Sequence, residues 1–162
     1  VNGVNVMNEL AELLIQKGIT ISSVESFTVG NFATMLGSIP GISKVYKGSL
    51  ITYQSETKER LLSIDHALIQ KYGVVSKEIA TLMCVNGKSI LDTDLCVSFT
   101  GNAGPDAMEG KPVGEVYIGI AYQDVVVYKL NLTGSRQEIA SKAVEFAKKK
   151  IIEKINENLK KN

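Results

Sequence analysis

The chain has 162 residues, of which 44% are hydrophobic and 22% are charged, a composition typical of one soluble domain with a single core. We therefore predict one domain over residues 1–162. The formal net charge of +1, from 18 basic and 17 acidic side chains, gives no overall attraction to nucleic acid or to anionic membranes. Neither is expected as a partner.

The cysteine and histidine content argues against a disulfide framework or a metal site. Cys84 and Cys96 lie in apolar segments, which favours small buried side chains over a disulfide or a metal pair. The single histidine, His66, falls in a predicted short helix, and no HExxH or CxxC spacing is present. We therefore predict no metal, no cofactor and no Ser-His-Asp triad. The sequence also lacks a signal-peptide pattern or a long apolar run, so a cytoplasmic location is expected.

The first half of the chain alternates helices and strands. Apolar residues at helical spacing end at Gly18, which predicts an amphipathic helix followed by a strand over 19–23. A polar turn over 24–30 leads to a helix over 31–36, and a second strand is predicted over 46–53. Three helices then follow: one capped by Ser55, one over 66–72 and one running from Ser76 to about Leu91.

The second half is dominated by strands. A buried strand is predicted over 94–100, and strands over 115–122 and 125–132 are joined through residues 123–124 as a hairpin. A last helix follows, with lysines 148–150 mostly facing water. Because helices and strands alternate early and strands pair antiparallel late, the chain is predicted to have an α/β fold with a mixed sheet covered by helices on both faces.

The turn over residues 24–30 carries two hydroxyl side chains, Ser26 and Thr28. A strand-to-helix turn puts such groups beside the unpaired N–H groups that open a helix, where an anion or a developing oxyanion is stabilised. A serine at this position is more often a helix cap than a nucleophile. The turn by itself therefore leaves both interpretations open.

Three further polar segments follow strand ends, over 54–58, 100–114 and 133–136, where ligands usually bind in α/β sheets. The second of them is long and glycine-rich, which would let backbone N–H groups approach a ligand closely. A flexible surface loop is the alternative. Tyr46 and Tyr53 are odd-spaced in a predicted strand, so they are expected on opposite faces, one of them towards the cleft.

Two cations are predicted near helix starts, where the helix dipole disfavours positive charge. Ser135 and Glu138 have the spacing of a capping box, which puts Arg136 at the first helical position. An adjacent anion such as phosphate would explain a cation there. Lys58, three residues after Ser55, is similar, although an exposed lysine tolerates the position at a cost of only ~0.5 kcal/mol.

Six segments of the chain match a known set of motifs in their order and spacing. They are Val24–Gly30, Tyr53–Lys58, Gly73–Ser76, Thr100–Met108, Lys111–Val116 and Gly134–Arg136. Over nearly the whole chain they resemble the CinA C-terminal domain family, whose corresponding patterns are A-E-S-C-T-G-G, Y-S-N-E-A-K, G-A-V-S, T-G-I-A-G-P-D-G-G, K-P-V-G-T-V and G-D-R.

The resemblance implies a three-layer α/β/α sandwich with a mixed sheet, a homo-oligomer and no metal or cofactor. Characterised members are nicotinamide-nucleotide amidohydrolases, which convert nicotinamide mononucleotide and water to nicotinate mononucleotide and ammonia. The catalytic residues it implies are Ser26 as nucleophile, Lys58 as its base, and Tyr53. Lys58 acts only as a neutral amine, so burial or a neighbouring cation such as Arg136 would have to lower its pKa. The residues implied in binding the small-molecule nucleotide are Thr28, Gly30, Thr100, Gly101, Asp106 and Arg136.

The departures from the family patterns include Phe27, Val29, Asn102, Ala107 and Met108. Ser55 and Ser135 also differ, but each replaces one good N-cap residue with another. Val29 replaces a glycine, and a β-branched residue does not readily adopt a positive φ. We therefore expect Val29 to hold a backbone donor out of place and to make the chain a slow amidase. The alternatives are a catalytically degenerate nucleotide-binding or protein-interaction domain of the same fold, or a purely structural module.

Overall fold

A five-stranded mixed sheet organises the structure, a computed structural model that describes residues 2–162. Its strands are β1 (Ile21–Glu25), β2 (Tyr46–Ile51), β3 (Leu95–Gly101), β4 (Glu115–Tyr122) and β5 (Asp124–Asn131). They lie in the order β2-β1-β3-β4-β5. β1 is parallel to both β2 and β3, whereas β4 pairs antiparallel with β3 and β5. The predicted mixed sheet and its hairpin are confirmed.

Helices cover both faces of this sheet. They are α1 (Asn2–Lys17), α2 (Asn31–Gly37), α3 (Ser55–Leu62), α4 (His66–Tyr72), α5 (Lys77–Leu91) and α6 (Arg136–Lys161), with a 3-10 turn over Ile42–Lys44. α5 packs across β1, β3, β4 and β5 with α3 and α4 beside it, while α1, α2 and α6 pack together as the other layer. The three-layer α/β/α architecture is therefore confirmed.

Alternating side chains of the central strands feed two apolar cores, one on each face of the sheet. Leu95, Val97 and Phe99 of β3 join the core beneath α1, α2 and α6, whereas Cys96 joins the core beneath α5. Cys84 of α5 lies in that second core, and both cysteines are buried and free. The prediction of small buried cysteines is confirmed.

Two local predictions about the region after β2 are wrong. β2 ends at Ile51, so Tyr53 lies beyond the strand and strand alternation does not determine its direction. Ser55 is the first residue of α3 rather than its N-cap; Gln54 occupies the cap position and its side chain makes no capping hydrogen bond. Lys58 stands in the first turn of α3, where its own backbone N–H is bonded to the carbonyl of Gln54.

The three consecutive lysines of α6, predicted to face mostly water, differ in exposure: Lys149 is exposed and Lys150 is partly exposed, whereas Lys148 is fully buried. It lies on the same stripe of the helix as Val144 and Ile151, which are core residues. Its aliphatic stem packs with them, and its ammonium pairs with Glu145 at 2.6 Å. None of the helices in residues 2–162 is long and apolar enough to cross a membrane.

Candidate active site

A cavity of about 640 Å³ opens at the sheet edge where the parallel strands β1, β2 and β3 end. It is lined by Ser26 and Phe27, residues 53–56, Val74, residues 100–109 and Arg136. The carboxyl ends of parallel strands meet at one edge of a sheet, so segments distant in sequence converge there. All four polar segments predicted from the sequence contribute to this edge.

Behind the cavity wall, Ser26, which lines the cavity, contacts the buried side chain of Lys58. The Lys58 Nζ lies 3.1 Å from the Ser26 Oγ, 2.6 Å from the Thr52 carbonyl oxygen and 3.2 Å from the Tyr53 carbonyl oxygen. A neutral amine has two N–H donors and one lone pair. As an ammonium, Lys58 donates to all three oxygens, and the Ser26 hydroxyl donates in turn to the Tyr53 carbonyl at 3.3 Å. In the neutral amine, the lone pair takes the place of one N–H and can accept the Ser26 hydroxyl proton.

Burial favours that neutral form. The Lys58 side chain is fully buried, and desolvation lowers its pKa from the ordinary value to about 8, while the Glu109 carboxylate opposes the shift by raising it. Burial and a neighbouring Arg136 were the two causes predicted for a lowered Lys58 pKa, and burial is the one that the structure supports. Ser26 is 8% exposed and reaches the cavity, so this pair has the arrangement of a nucleophile with its base.

A buried carboxylate, rather than open space, faces the start of α2. Glu25 is fully buried and accepts hydrogen bonds from the backbone N–H groups of Phe32 and Ala33, at 3.0 Å each. It also accepts from the hydroxyls of Thr28, at 2.8 Å, and Ser23, at 3.0 Å. The expectation that these helix-opening N–H groups stabilise a bound anion is therefore wrong, since the chain supplies its own.

Two of the predicted binding residues do not line the main cavity. The Thr28 hydroxyl is committed to Glu25, and Thr28 lines a neighbouring depression that also borders Arg136. Gly30 precedes α2 with a φ of 82°, and it lines neither the main cavity nor the neighbouring depression. Thr28 and Gly30 follow Ser26 closely in the sequence, but the structure does not bring them to the wall of the main cavity.

Val29 adopts the left-handed conformation that the sequence analysis expected it to resist. Its φ is 47°, its side chain is 60% exposed, and its N–H donates to the Ser26 carbonyl at 3.0 Å. Because this N–H is used inside the turn, it is not a donor aimed at a substrate. The account in which Val29 displaces a backbone donor stays a prediction, and the observed consequence of the substitution is local backbone strain.

The segment after β3 contributes three predicted residues in different ways. Thr100 is buried, and its hydroxyl donates to the Val74 carbonyl at 2.6 Å. A β-carbon on Gly101 would lie 2.7 Å from the Val116 Cα, so close strand packing, rather than approach to a ligand, requires a glycine there. Asp106 lines the cavity from the loop.

Asn102, which departs from the family pattern, organises this loop. Its side-chain oxygen accepts from the Gly104 N–H at 3.0 Å, and its side-chain amide donates to the Asp106 carbonyl at 2.9 Å. A weaker contact of 3.4 Å reaches the Lys111 carbonyl. The buried amide therefore holds the cavity wall in shape.

Arg136 bridges two walls of the cavity. The predicted capping box is confirmed, with Ser135 as the N-cap of α6 and Glu138 bonded back to it. One guanidinium nitrogen of Arg136 donates to the Gly104 carbonyl and another to the Tyr53 hydroxyl, at 2.5 Å each. A guanidinium has five N–H donors, so three are left for a ligand. Tyr53 is half exposed beside it.

Sequence reasoning missed two acidic residues of this region, Glu25 and Glu109. Glu25 had a usable signal, because an acid at a strand end that precedes a short turn and a helix is within reach of the helix N–H groups. Glu109 had none, since its position depends on how residues 102–114 fold. His66 pairs with Glu59 on the surface, away from the cavity wall.

The described residues offer little for a metal ion. Within residues 2–162, no three His, Cys, Asp or Glu side chains are grouped closely enough to hold one. The polar groups that converge on the cavity are instead a hydroxyl, an amine, a guanidinium and carboxylates. This set suits acyl transfer and the binding of an anionic ligand.

Comparisons with known proteins identify the same domain elsewhere. The model of the CinA C-terminal domain family matches residues 4–155. A Bacillus thuringiensis (strain Al Hakam) relative, whose name includes "competence-damage inducible protein", is 40% identical over 148 residues. That match covers 90% of this chain and 36% of the relative. The chain therefore spans about a third of the length of the curated relatives it matches.

Solved structures have the same fold. A competence-damaged protein (CinA) superfamily protein from Klebsiella pneumoniae 700603 superimposes with a TM-score of 0.94 at 24% identity, over 97% of this chain and 99% of that one. The competence/damage inducible protein CihA from Agrobacterium tumefaciens gives a TM-score of 0.84 at 28% identity, over 91% and 94% of the two chains.

Proposed function

The chain belongs to the CinA C-terminal domain family, and on that premise we propose that it is a nicotinamide-nucleotide amidohydrolase. Its reaction is the conversion of nicotinamide mononucleotide and water to nicotinate mononucleotide and ammonia. The observation that carries the proposal is the 3.1 Å contact between the Ser26 Oγ and the buried amine of Lys58.

The proposed chemistry proceeds through an acyl-enzyme. Lys58 accepts the Ser26 proton as the Oγ attacks the carboxamide carbon, and it returns that proton to the departing ammonia. Lys58 then takes a proton from the water that hydrolyses the ester and returns it to the departing Ser26 Oγ, which releases nicotinate mononucleotide and regenerates both groups. Among the described hydrogen bonds, none uses the Phe27 N–H next to the nucleophile, and we assign it to the oxyanion.

Arg136 is proposed to bind the phosphate of the nucleotide. Its three remaining N–H donors allow charge-assisted hydrogen bonds to phosphate oxygens, and it lines the cavity together with Ser26. Tyr53 donates or accepts beside the guanidinium, while Thr100, Gly101 and Asp106 shape the wall. Thr28 and Gly30 are proposed to act through the turn that carries Ser26.

The buried amine argues against a domain retained only for binding. Burying an ionisable amine without a function costs free energy, because its charged form is desolvated. A degenerate module would gain stability by replacing Lys58 with an apolar residue. The pairing of Lys58 with Ser26 therefore favours the enzyme over the non-catalytic alternatives.

Ammonia release from nicotinamide mononucleotide tests the proposal, and it is expected to persist in excess chelator. Ser26→Ala should abolish turnover, and Lys58→Met should lower kcat by ~10²- to 10⁴-fold through loss of the base. Ser55→Ala is the matched control, because Ser55 lines the cavity and the described hydrogen bonds of the Lys58 amine go to other residues. A Ser26→Ala variant within a few-fold of wild type would show that Ser26 is only part of the turn.

A second test addresses the phosphate contact. Arg136→Ala should weaken affinity for nicotinamide mononucleotide by roughly 10- to 150-fold, since it removes a charge-assisted hydrogen bond. The dephosphorylated riboside is the comparison substrate. If Arg136→Ala leaves the preference for the phosphorylated form unchanged, Arg136 does not bind phosphate.

The expected surroundings of the enzyme belong to the same proposal. We propose a cytoplasmic homo-oligomer whose partner is a small-molecule nucleotide rather than nucleic acid or a membrane. Sedimentation velocity over a range of protein concentrations measures the assembly directly. A monomer at all concentrations would remove the oligomer from the proposal without affecting the assignment of the site.

A further inference from the structure

One wall of the cavity carries a carboxylate that is fixed in position. Glu109 lines the cavity, and its two oxygens accept the backbone N–H groups of Val74, at 3.0 Å, and Val75, at 3.3 Å. A β-carbon on Gly73 would lie 2.3 Å from the Glu109 Oε2, so the Glu109 carboxylate packs closely against the backbone of Gly73. Glu109 itself has a φ of 56°, a conformation that non-glycine residues rarely adopt.

The charges around the cavity are unequal. Of the described residues that line it, Arg136 is the cation, while Asp106 and Glu109 are acidic; the third acid, Glu56, is exposed and paired with Arg60. Arg136 contacts Tyr53 and the loop, whereas Glu109 is held beside Val74. Such a wall disfavours a ligand that is only anionic, and it favours one that carries a positive charge as well as a phosphate.

Nicotinamide mononucleotide has that combination, because its N-substituted pyridinium ring is cationic and its phosphate is anionic. We propose that Glu109 is a specificity-determining residue whose carboxylate faces the cationic ring and selects pyridinium amides over neutral amides. The inference rests on the proposed function, since the amide on that ring has to reach Ser26. It adds a charge requirement that the Ser26–Lys58 pair does not impose.

The position of Glu109 distinguishes this role from that of a simple loop anchor. The same carboxylate acts on Lys58 and raises its pKa; the other ionisable groups on the cavity wall are Tyr53, Glu56, Asp106 and Arg136. Removing the charge of Glu109 should therefore weaken binding of the cation and, near neutral pH, leave more of Lys58 in the neutral form. Loss of a loop anchor would instead lower kcat.

The test compares nicotinamide mononucleotide with its reduced 1,4-dihydro form, which keeps the phosphate and the amide but has an uncharged ring. Glu109→Gln should raise KM for the oxidised substrate by about 5- to 20-fold and leave the Ki of the reduced form, measured as a competitive inhibitor, within about twofold. kcat near neutral pH should not fall.

Glu56→Gln is the matched control. Glu56 also lines the cavity, but its side chain is 67% exposed and pairs with Arg60 at 3.3 Å, so both constants should stay within about twofold. If Glu109→Gln does not fold, the wild type supplies the measurement: the ratio of KM to Ki should rise with ionic strength as the ring contact is screened.

Two outcomes would overturn the inference: equal changes in KM and Ki in Glu109→Gln, or no change in either. If Glu109→Gln does not fold, a wild-type ratio of KM to Ki that does not change with salt concentration would also overturn the inference. Failure of the proposed function looks different, because the wild type would then release no ammonia. Calorimetric titration of the wild type and Glu109→Gln with both forms would still report whether Glu109 makes the cavity selective for the charged ring.

Discussion

Glu25 and Glu109 make similar local contacts and have different consequences. Each carboxylate accepts two successive backbone N–H groups, from Phe32 and Ala33 in one case and from Val74 and Val75 in the other. Glu25 is fully buried and accepts two hydroxyls as well, whereas Glu109 lies on an exposed loop at the cavity wall. Because Glu25 is buried, its carboxylate can only stabilise the backbone, whereas the carboxylate of Glu109 is also accessible to a ligand in the cavity.

The largest expected difference is in stability. Glu25→Ala should lower the free energy of unfolding by about 3–5 kcal/mol, because buried N–H and hydroxyl donors lose their acceptor. Glu109→Ala should cost at most about 1 kcal/mol, since water can replace its carboxylate. Urea denaturation of both variants measures the two values. Equal losses would mean that the two carboxylates have the same role and would break the comparison.

A smaller effect is expected from the amide that shapes the Glu109 loop. Asn102→Ala should lower stability by about 1–2 kcal/mol, because the buried Gly104 N–H loses its acceptor. The loosened loop should also raise KM for nicotinamide mononucleotide, while Ser26 and Lys58 stay in place. Hydrogen exchange of residues 102–114 locates the change. Faster exchange in the Ser26 turn instead would contradict the separation of the two regions.

Val29 lies in the turn between Glu25 and α2, so its substitution tests the Glu25 region of the comparison. A β-branched residue at a φ of 47° is strained, and glycine relieves that strain at the cost of greater entropy in the unfolded chain. Val29→Gly should therefore raise the free energy of unfolding by about 0.5–1 kcal/mol and leave kcat nearly unchanged. Thermal denaturation and initial rates test both halves. A large gain in rate would instead support the account in which Val29 displaces a catalytic donor.

The smallest expected effect is on the pH profile. In the proposed mechanism only neutral Lys58 accepts the Ser26 proton, so kcat/KM should rise with pH through about 8, the lowered pKa of the buried amine. Removing Glu109 takes away the charge that raises this pKa, so in Glu109→Gln the rising limb should move to lower pH. Glu56→Gln is the control and should keep the wild-type limb. If the pH at which kcat/KM rises does not change in Glu109→Gln, the Glu109 carboxylate does not affect the pKa of Lys58.

Features set by neighbouring residues could be predicted from the sequence. The capping box of Ser135 and Glu138 depends on a spacing of three residues, and it is present as predicted. The mixed sheet and its two helical layers follow from the order of apolar segments, and they are also as predicted. The strand-to-helix turn pointed to Ser26 and the helix start pointed to Lys58, whereas their catalytic roles were implied by the resemblance to the family and remain proposals.

Features set by distant residues required the tertiary structure. Ser26 and Lys58 are 32 residues apart, and only the parallel pairing of β1 and β2 brings the segments that follow these strands together. The burial that lowers the Lys58 pKa comes from packing around α3, and Lys148 is buried by the same kind of long-range packing. Local patterns carry no information about such environments, because desolvation depends on every element that surrounds a side chain. Glu109 is the extreme case, since its contact with Val74 joins residues 35 positions apart through an irregular loop.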